Sequence, residues 1–245
     1  MEIFDSHDSF NNKHGIKVDE DFKNLPSIHW LLKVHKKPYK FRYIVNSRSC
    51  STKELSIRMT YVLQAIKTHV KKYCHKVYEN SGLNLFWSVD NSLEVINAIK
   101  SKRYTVSEIN TFDFSTLYTS LPLHLVKTKL IGLVEKTFAR EKTTFVVVSK
   151  NKAFFSDNKY NNCLYWSCED VCDILRFLLD SSFIKFGNDV YKQVTGIPMG
   201  ANYAPLVADL FLFCYESEFM KNLSKSNDLN LIEKFNNTYR YLDDL

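Results

Sequence analysis

The sequence has 245 residues, of which 45% are hydrophobic and 24% are charged, and its formal net charge is +6. This composition excludes a disordered chain and a low-complexity array, and it allows one large domain or two subdomains with a sizeable core. The longest apolar run near a helix, residues 206–215, contains Asp209 and is too short to span a bilayer. We expect no membrane association. The N-terminus has no basic leader and no apolar signal core, so we expect an intracellular protein, in the nucleus or the cytoplasm.

Six cysteines in a chain of this length do not make a disulfide framework. Their only cluster is Cys163, Cys168 and Cys172. It lacks the paired Cys-x-x-Cys spacing of structural zinc sites, and no nearby His supplies a fourth ligand. The pattern is therefore typical of buried free thiols.

The positive charge is concentrated in one region. Between Lys33 and Lys76 there are twelve Lys or Arg residues and a single acid, Glu54, whereas the chain from Ser81 onward has 18 basic and 19 acidic residues. Such a basic surface favours a polyanionic partner, and nucleic acid before a membrane, because no strongly hydrophobic membrane-seeking face accompanies it. A solvated basic face without a ligand is the alternative.

The N-terminal part of the chain predicts a lead-in followed by a hairpin. Residues 1–24 are polar, mixed in charge and weakly periodic, so we expect them to be poorly ordered. Residues 28–32 and 40–45 predict two short strands joined by a basic turn through Lys36, Lys37 and Pro38. Alternation along the second strand would let Phe41 and Tyr43 anchor one face while Arg42 projects from the other.

A long amphipathic helix is predicted next. Ser51-Thr52-Lys53-Glu54 has the form of a capping box, and the apolar residues after it recur every three or four positions. The basic residues fall on the opposite side of the helix. We expect that side to follow a phosphate backbone, through Lys53, Arg58, Lys67, Lys71, Lys72 and Lys76.

The segment around Asp113 is the one on which the functional interpretation depends. In an extended chain Phe112 and Phe114 would be buried on one side and Asp113 would emerge on the other. Ser120 and Pro122 stand where the N-cap and first turn of a following helix belong. Taken alone, this pattern favours an aspartate that ends a strand and begins a turn or caps a helix.

The C-terminal half predicts further alternating elements. Residues 143–148 predict a strand followed by a polar loop through Asn162, and Ser167 with Asp170 predicts a capping box. Gly187-Asn188-Asp189 predicts a hairpin turn. The turn Gly196-Ile197-Pro198-Met199-Gly200 would suit the floor of a flat ligand such as a base pair, and residues 206–223 predict a buried helix.

Asp243 and Asp244 are the chain's only adjacent Asp pair and lie in an aromatic-rich segment. Neighbouring carboxylates repel unless a cation intervenes, and oxygen-only ligands favour Mg²⁺. Asp113 on a neighbouring strand would complete a two-metal arrangement for in-line phosphoryl transfer.

Four motifs in this order resemble those of reverse transcriptases, and their amino-acid sequences are most similar to those of the Penelope-like retroelements. They are residues 32–36 with 41–45, the segment from Asp113 to Leu123, the Gly196–Gly200 turn with Ala204-Pro205, and the Tyr241-Leu242-Asp243-Asp244 box. The resemblance implies an α+β fold with the fingers and palm of a right-hand polymerase, in which helices back an antiparallel palm sheet. It divides the chain into fingers at 25–104 and a palm at 105–245 that is cut off after the box, with the thumb missing.

The resemblance also implies an activity, RNA-directed DNA polymerisation with an RNA template, a DNA primer and deoxynucleoside triphosphates. Asp113 and Asp243 would bind two Mg²⁺ ions, for which Mn²⁺ could substitute, and Asp244 would assist. The other implied residues serve the incoming nucleotide. Lys33 and Arg42 would hold its triphosphate, the Phe114 carbonyl would be available to one metal, Tyr118 would be the gate against a ribose 2′-hydroxyl, and the nascent base pair would be bordered by Gln193, Met199 and Gly200.

Three alternatives accompany this interpretation. The chain could be a truncated retroelement remnant that at most binds nucleic acid. A telomerase-type polymerase shares the same core. A viral RNA-dependent RNA polymerase is disfavoured, because such enzymes usually have Asp where Tyr118 stands and Gly where Leu242 stands.

Overall fold

The computed structural model describes residues 2–18, 20–34, 37–101 and 109–245. The described helices are α1 (Glu2–Lys13), α2 (Lys53–Ser81), α3 (Ser92–Ser101), α4 (Leu117–Ser120), α5 (Leu123–Glu141), α6 (Cys168–Asp180), α7 (Ala204–Ser226) and α8 (Leu229–Phe235). The described strands are β1 (Ser27–Lys33), β2 (Lys40–Asn46), β3 (Phe145–Val148), β4 (Ala153–Phe155), β5 (Leu164–Ser167), β6 (Phe183–Phe186) and β7 (Asp189–Lys192). The predicted α+β class is confirmed. Within the described ranges, no helix has both the length and the apolar character needed to cross a membrane.

The chain forms two compact units, each made of two separate segments. The first unit comprises Met1–Lys67 with Tyr118–Val207, and the second comprises Thr68–Leu117 with Ala208–Leu245. These units cut across the contiguous fingers and palm ranges that the sequence predicts. The predicted boundary at residues 104 and 105, like His35 and Lys36 in the basic turn, lies outside the described residues.

A four-stranded sheet with the order β2-β1-β6-β7 belongs to the first unit. Both of its hairpins were predicted, and Gly187 takes the left-handed conformation in the second turn (φ 62°). The hairpins join where β1 runs parallel to β6 at Ser27 and Lys185. As predicted, Arg42 lies on the face opposite Phe41 and Tyr43. The expectation that these two aromatics are anchored is wrong, since both are about half exposed around a likewise exposed Trp30.

The second sheet, with the order β4-β3-β5, lies in the core of the first unit beside α5 and α6. The β3 residues Val146, Val147 and Val148 are fully buried. The predicted capping box of α6 is confirmed, with Ser167 and Asp170 bonding each other's backbone amides. Strand β4 lies inside the segment that the sequence assigned to a polar loop, because three residues are too few to give a periodic signal.

Helix α1 was not predicted. Its His7 Nδ1 lies 2.7 Å from the Ser51 hydroxyl, and its Asn11 amide donates to the Ser51 carbonyl at 2.9 Å. Phe10 stacks on Phe177 with ring centroids 3.8 Å apart. The expectation of a poorly ordered lead-in is wrong, because a helix that is attached by buried polar groups leaves little apolar periodicity in its sequence.

Helix α2 has the predicted apolar face, with Leu55, Met59 and Ile66 fully buried. Its predicted capping side chains are used differently. Ser51 contacts His7, and Glu54 pairs with Arg58, whose Nη2 lies 2.6 Å from the Glu54 carboxylate.

The basic side of α2 is less available than predicted. Lys67 is buried, Lys53 donates to the Asn202 side chain at 2.7 Å, and Arg58 also donates to the Ser149 carbonyl. Lys71 pairs with two acids. Partial burial lowers its pKa, but Asp90 and Glu94 together raise that pKa above the ordinary value. Of the six basic residues, the structure leaves two exposed, Lys72 and Lys76.

The second unit has an aromatic core that supports the C-terminal segment. Trp87 stacks on Phe235 of α8 at 5.9 Å, and both rings meet Phe219 of α7 edge-on. Asn84 donates two hydrogen bonds to Asn236, from its amide to the side-chain oxygen at 2.8 Å and from its side chain to the carbonyl at 3.1 Å. The segment that leads to the predicted catalytic box is therefore attached to a packed core.

Candidate functional site

Two of the three predicted catalytic acids face each other in the second unit. Phe112 and Leu245 exchange two backbone hydrogen bonds of 2.8 Å, and the Phe114 amide donates to the Asp243 carbonyl at 3.0 Å. Between these pairs, Asp113 lies directly opposite Asp244 in an antiparallel bridge. Directly opposed residues share one face, and at a non-hydrogen-bonded position such as this their side chains are closest.

A tight turn presents the Asp pair. The amide of Tyr241 donates to the Asp244 carbonyl at 2.8 Å, and the amide of Asp244 donates back to the Tyr241 carbonyl at 3.0 Å. Leu242 has a left-handed backbone with φ of 54°, a conformation that costs a residue with a Cβ roughly 1–2 kcal/mol. Asp243 lies within the turn, and the residue that the bridge places opposite Asp113 is Asp244.

The strand predicted around Asp113 is reduced to this one bridge, since only Asp243, Asp244 and Leu245 lie opposite it. The prediction that Phe112 and Phe114 are buried is wrong, because their exposed fractions are 65% and 42%. No second layer of side chains from the described residues covers their face. The Phe114 carbonyl accepts a 3.4 Å hydrogen bond from the Leu117 amide at the start of α4.

The acids fit a metal ion as a pair, and the three do not form a closed cage. Among the residues that the structure describes, no three His, Cys, Asp or Glu side chains are grouped closely enough to hold a metal. Asp113 and Asp244 are both exposed and face each other. Mg²⁺ is commonly bound through one or two carboxylates, with waters and substrate phosphates as its other ligands, and this pair suits that arrangement.

The glycine turn of the first unit is fastened to its own chain. A Cβ at Gly200, where φ is 122°, would lie 1.9 Å from the Val45 carbonyl oxygen of β2, and a Cβ at Gly196 would lie 2.5 Å from the Tyr118 carbonyl oxygen. The amide of Val45 also donates to the Met199 carbonyl at 2.7 Å. Close contacts with neighbouring backbone atoms thus explain why both positions are glycine, without an open surface for a flat ligand.

Met199 and Gly200 belong to this turn, and two other predicted nucleotide-binding residues, Tyr118 and Gln193, lie next to it. The Ile197 amide donates to the Tyr118 carbonyl at 2.6 Å, so the turn holds the backbone of the predicted sugar gate. Gln193 is turned inward and donates to the Thr195 carbonyl at 3.0 Å. Ser120 was expected to cap the following helix, but it ends α4, and α5 begins after Pro122 without a side-chain cap.

The predicted triphosphate-binding residues lie on the exposed hairpin. Register pairs Lys33 with Lys40 and Leu31 with Arg42, so the three cations share one face of the sheet. Arg42 is exposed and Lys33 is half-buried. Arg42 lies on β2, the strand that the glycine turn contacts at Val45, and is three residues from that contact.

Sequence reasoning missed a buried ionic cluster in the second unit, next to the tight turn at residues 241–244. Arg240 is fully buried and pairs with Asp209 and Glu216 of α7. Burial raises the pKa of Glu216 in spite of the adjacent guanidinium. The available signal was Asp209 itself, a charge inside the otherwise apolar run of residues 206–215, which indicates a buried partner.

Comparisons with known proteins show what the fold resembles. No protein-family model matches the chain, and no curated protein matches it. The fold is similar to part of telomerase structures. Telomerase from Candida albicans, solved with the TWJ fragment of telomeric RNA, superposes with a TM-score of 0.52 at 14% identity over 98% of this chain and 41% of its own.

Two further structures agree. Telomerase from Candida tropicalis with the same kind of RNA fragment gives a TM-score of 0.53 at 13% identity, covering 98% of this chain and 38% of that one. Apo telomerase from Candida tropicalis gives 0.53 at 14%, covering 93% and 39%. At such identities the likeness concerns the fold alone, and this chain spans less than half of each telomerase chain.

The close approach at Gly200 leads to a stability prediction. We expect Gly200→Ala to lower the free energy of unfolding by about 3 kcal/mol or more, because the added methyl meets the Val45 carbonyl and the backbone is strained as well. Gly187→Ala is the matched control, since its φ is 62° and nothing lies within 4 Å. It should lose roughly 1–2 kcal/mol. Urea unfolding measures both, and equal losses would contradict the contact.

The facing acids lead to a second prediction. Like charges directly opposite in a bridge are destabilising, so Asp113→Asn should raise the free energy of unfolding by about 0.5 kcal/mol in low salt with a chelator present. The gain should shrink as salt is added. Asp5→Asn, at an exposed acid of α1, should show no such gain. A gain at Asp5 equal to that at Asp113 would rule out the facing pair as its cause.

Proposed function

We propose that this chain is the fingers and palm of an RNA-directed DNA polymerase of retroelement origin, similar to the Penelope-like elements. The observation that carries the proposal is the bridge between Asp113 and Asp244 beside a tight Tyr-Leu-Asp-Asp turn. The telomerase-like fold supports it, because telomerase is itself a reverse transcriptase. The order of the sequence motifs favours a retroelement source.

Mg²⁺ is the proposed cofactor. Two ions would be bound, by Asp113 and Asp243 with Asp244 assisting from the position opposite Asp113. The bound ions would supply charge neutralisation at the reacting phosphate and a more acidic primer hydroxyl. The protein's own contribution is to keep two carboxylates together on one exposed face, which is repulsive without a cation.

The proposed partners are an RNA template, a DNA primer and deoxynucleoside triphosphates. Arg42 and Lys33 share a sheet face and would neutralise the triphosphate through charge-assisted hydrogen bonds. Tyr118 would exclude a 2′-hydroxyl, and the glycine turn would fix its backbone. Met199 and Gly200 would border the base pair. The solved neighbours with telomeric RNA are consistent with an RNA partner.

A second candidate is a nucleic-acid-binding protein without polymerase activity. Three cations that share one face of the hairpin sheet, Lys33, Lys40 and Arg42, favour it. It requires the basic hairpin but not the acids. The two experiments below separate it from the polymerase.

The polymerase proposal predicts Mg²⁺-dependent primer extension. We expect the full-length product of the gene to extend a DNA primer on an RNA template, and Asp113→Asn or Asp244→Asn to reduce the rate by about a thousandfold, since several kcal/mol of charge stabilisation are lost. Asp5→Asn should extend at the parental rate. Extension that survives both acid substitutions would contradict the proposal, and binding without any extension would favour the second candidate.

Both candidates predict salt-sensitive RNA binding through the hairpin. Replacing Lys40 and Arg42 by Ala should reduce the slope of log K against log salt by roughly 0.7–1 per residue, because each exposed cation releases counterions from the strand. The control is Lys53→Gln, whose ammonium is bonded to Asn202. Fluorescence anisotropy at several salt concentrations measures the slope. A larger effect of the Lys53 change would place the interface on α2 instead.

A further inference from the structure

Arg240 is a fully buried cation whose five N–H donors all have acceptors. Nε donates to the Glu216 carboxylate, and Nη2 donates to its other oxygen at 3.2 Å. Nη1 donates to the Asp209 carboxylate at 2.8 Å, and Nη2 donates to the Asp209 carbonyl at 3.2 Å. The fifth donor reaches the Leu242 carbonyl at 3.1 Å. A guanidinium offers five N–H groups in a rigid fork, so this set saturates it.

The anchors of Arg240 belong to one side of α7. Asp209 and Glu216 are seven residues apart, which is two helical turns, and both are buried. Removing one member of a buried charge cluster leaves the others unpaired at high cost. Such a cluster therefore has one arrangement, and Arg240 cannot be displaced from α7 without breaking it.

The rest of Arg240 is held just as firmly. Its amide donates to the Trp87 carbonyl at 2.8 Å, and its carbonyl accepts from the Val89 amide at 2.9 Å. Backbone and side chain are thus fixed on two different elements, the 87–89 segment and α7. Both belong to the second unit, as does the catalytic turn.

The fifth hydrogen bond connects this fixed point to the turn. Leu242 is the left-handed residue of the turn, and its carbonyl belongs to the same peptide plane as the Asp243 amide. A bond that holds the carbonyl therefore sets the direction in which the chain enters Asp243 and Asp244. It also offsets the strain of a left-handed leucine.

We propose that Arg240 is a positioning residue, which uses its buried pairing with Asp209 and Glu216 to fix the turn that carries Asp243 and Asp244. This inference rests on the proposed function for the role of the acids. Helix α7 would determine the orientation of the acids through Arg240, which lies behind the turn. Arg240 would make no contact with substrate.

The experiment compares Arg240→Lys with a control that weakens the same unit elsewhere. Lysine keeps the charge but has three donors on one atom, so it cannot serve both acids and the Leu242 carbonyl. Asn236→Ala is the control, since it removes side-chain hydrogen bonds to the Asn84 amide and the Gly82 carbonyl and leaves the bonds of Arg240 and of the turn in place. Hydrogen exchange is read at the Asp244 and Leu245 amides, which bond within the turn and the bridge. Mn²⁺ binding is read by electron paramagnetic resonance.

We expect Arg240→Lys to speed exchange at those two amides by about tenfold and to weaken Mn²⁺ binding by about tenfold. The control should do neither at an equal loss of global stability. If Arg240→Lys does not fold, Glu216→Gln gives a second test, because it removes one of the two charges that hold the Arg240 guanidinium and keeps the Leu242 side chain and the exposed acids intact. It should speed the same exchange.

The two proposals fail in different ways. If the parent chain binds no Mn²⁺, the metal role of the acids is overturned, and the exchange measurement alone decides on Arg240. If Arg240→Lys lowers stability as the control does but changes neither exchange at Asp244 nor Mn²⁺ affinity, Arg240 has only a structural role and the inference is overturned.

Discussion

The first unit depends on the absence of a side chain at position 200. The Val45 carbonyl oxygen occupies the space that a Cβ would need, and the same approach lets the Val45 amide reach Met199. Gly196 makes a similar contact with Tyr118. One turn therefore joins the end of β2 to α4, and the residues proposed to meet the nucleotide are held by backbone atoms. Side-chain substitutions on the surface of this turn would leave that framework in place.

The second unit contains one exposed pair of acids and one buried pair. Asp113 and Asp244 face each other in solvent, an arrangement that gains from any added positive charge. Asp209 and Glu216 are buried around Arg240, where the charge is already compensated. The contrast is chemically useful, because the exposed acids stay available to a ligand while the buried ones hold Arg240 in place. Both pairs of acids lie close to the tight turn at residues 241–244.

Local patterns predicted those elements whose residues follow their own period or turn chemistry. The capping box at Ser167, the turn at Gly187 and the buried face of α2 are of this kind. Helix α1 and the burial of Lys67 were missed, because long-range partners determine them. For the candidate site, the motifs located the three acids, but not which of them face each other. Register is set by hydrogen bonds between distant segments. The structure was therefore needed to show that Asp244 is the partner of Asp113 and that Arg240 lies behind the turn.

The exposed hairpin sheet has a consequence for solubility. Strands β2 and β7 are its two edges, and each presents unpaired backbone groups beside exposed rings such as Tyr43 and Tyr191. Exposed edges of this kind invite pairing with another copy of the chain, and charged side chains on them are a common protection. Lys40 and Arg42 on β2, with Lys192 on β7, stand at these edges. The cations that would attract a polyanion therefore also discourage self-association. In a protein bound to nucleic acid, the bound polyanion would protect these edges in place of the free cations.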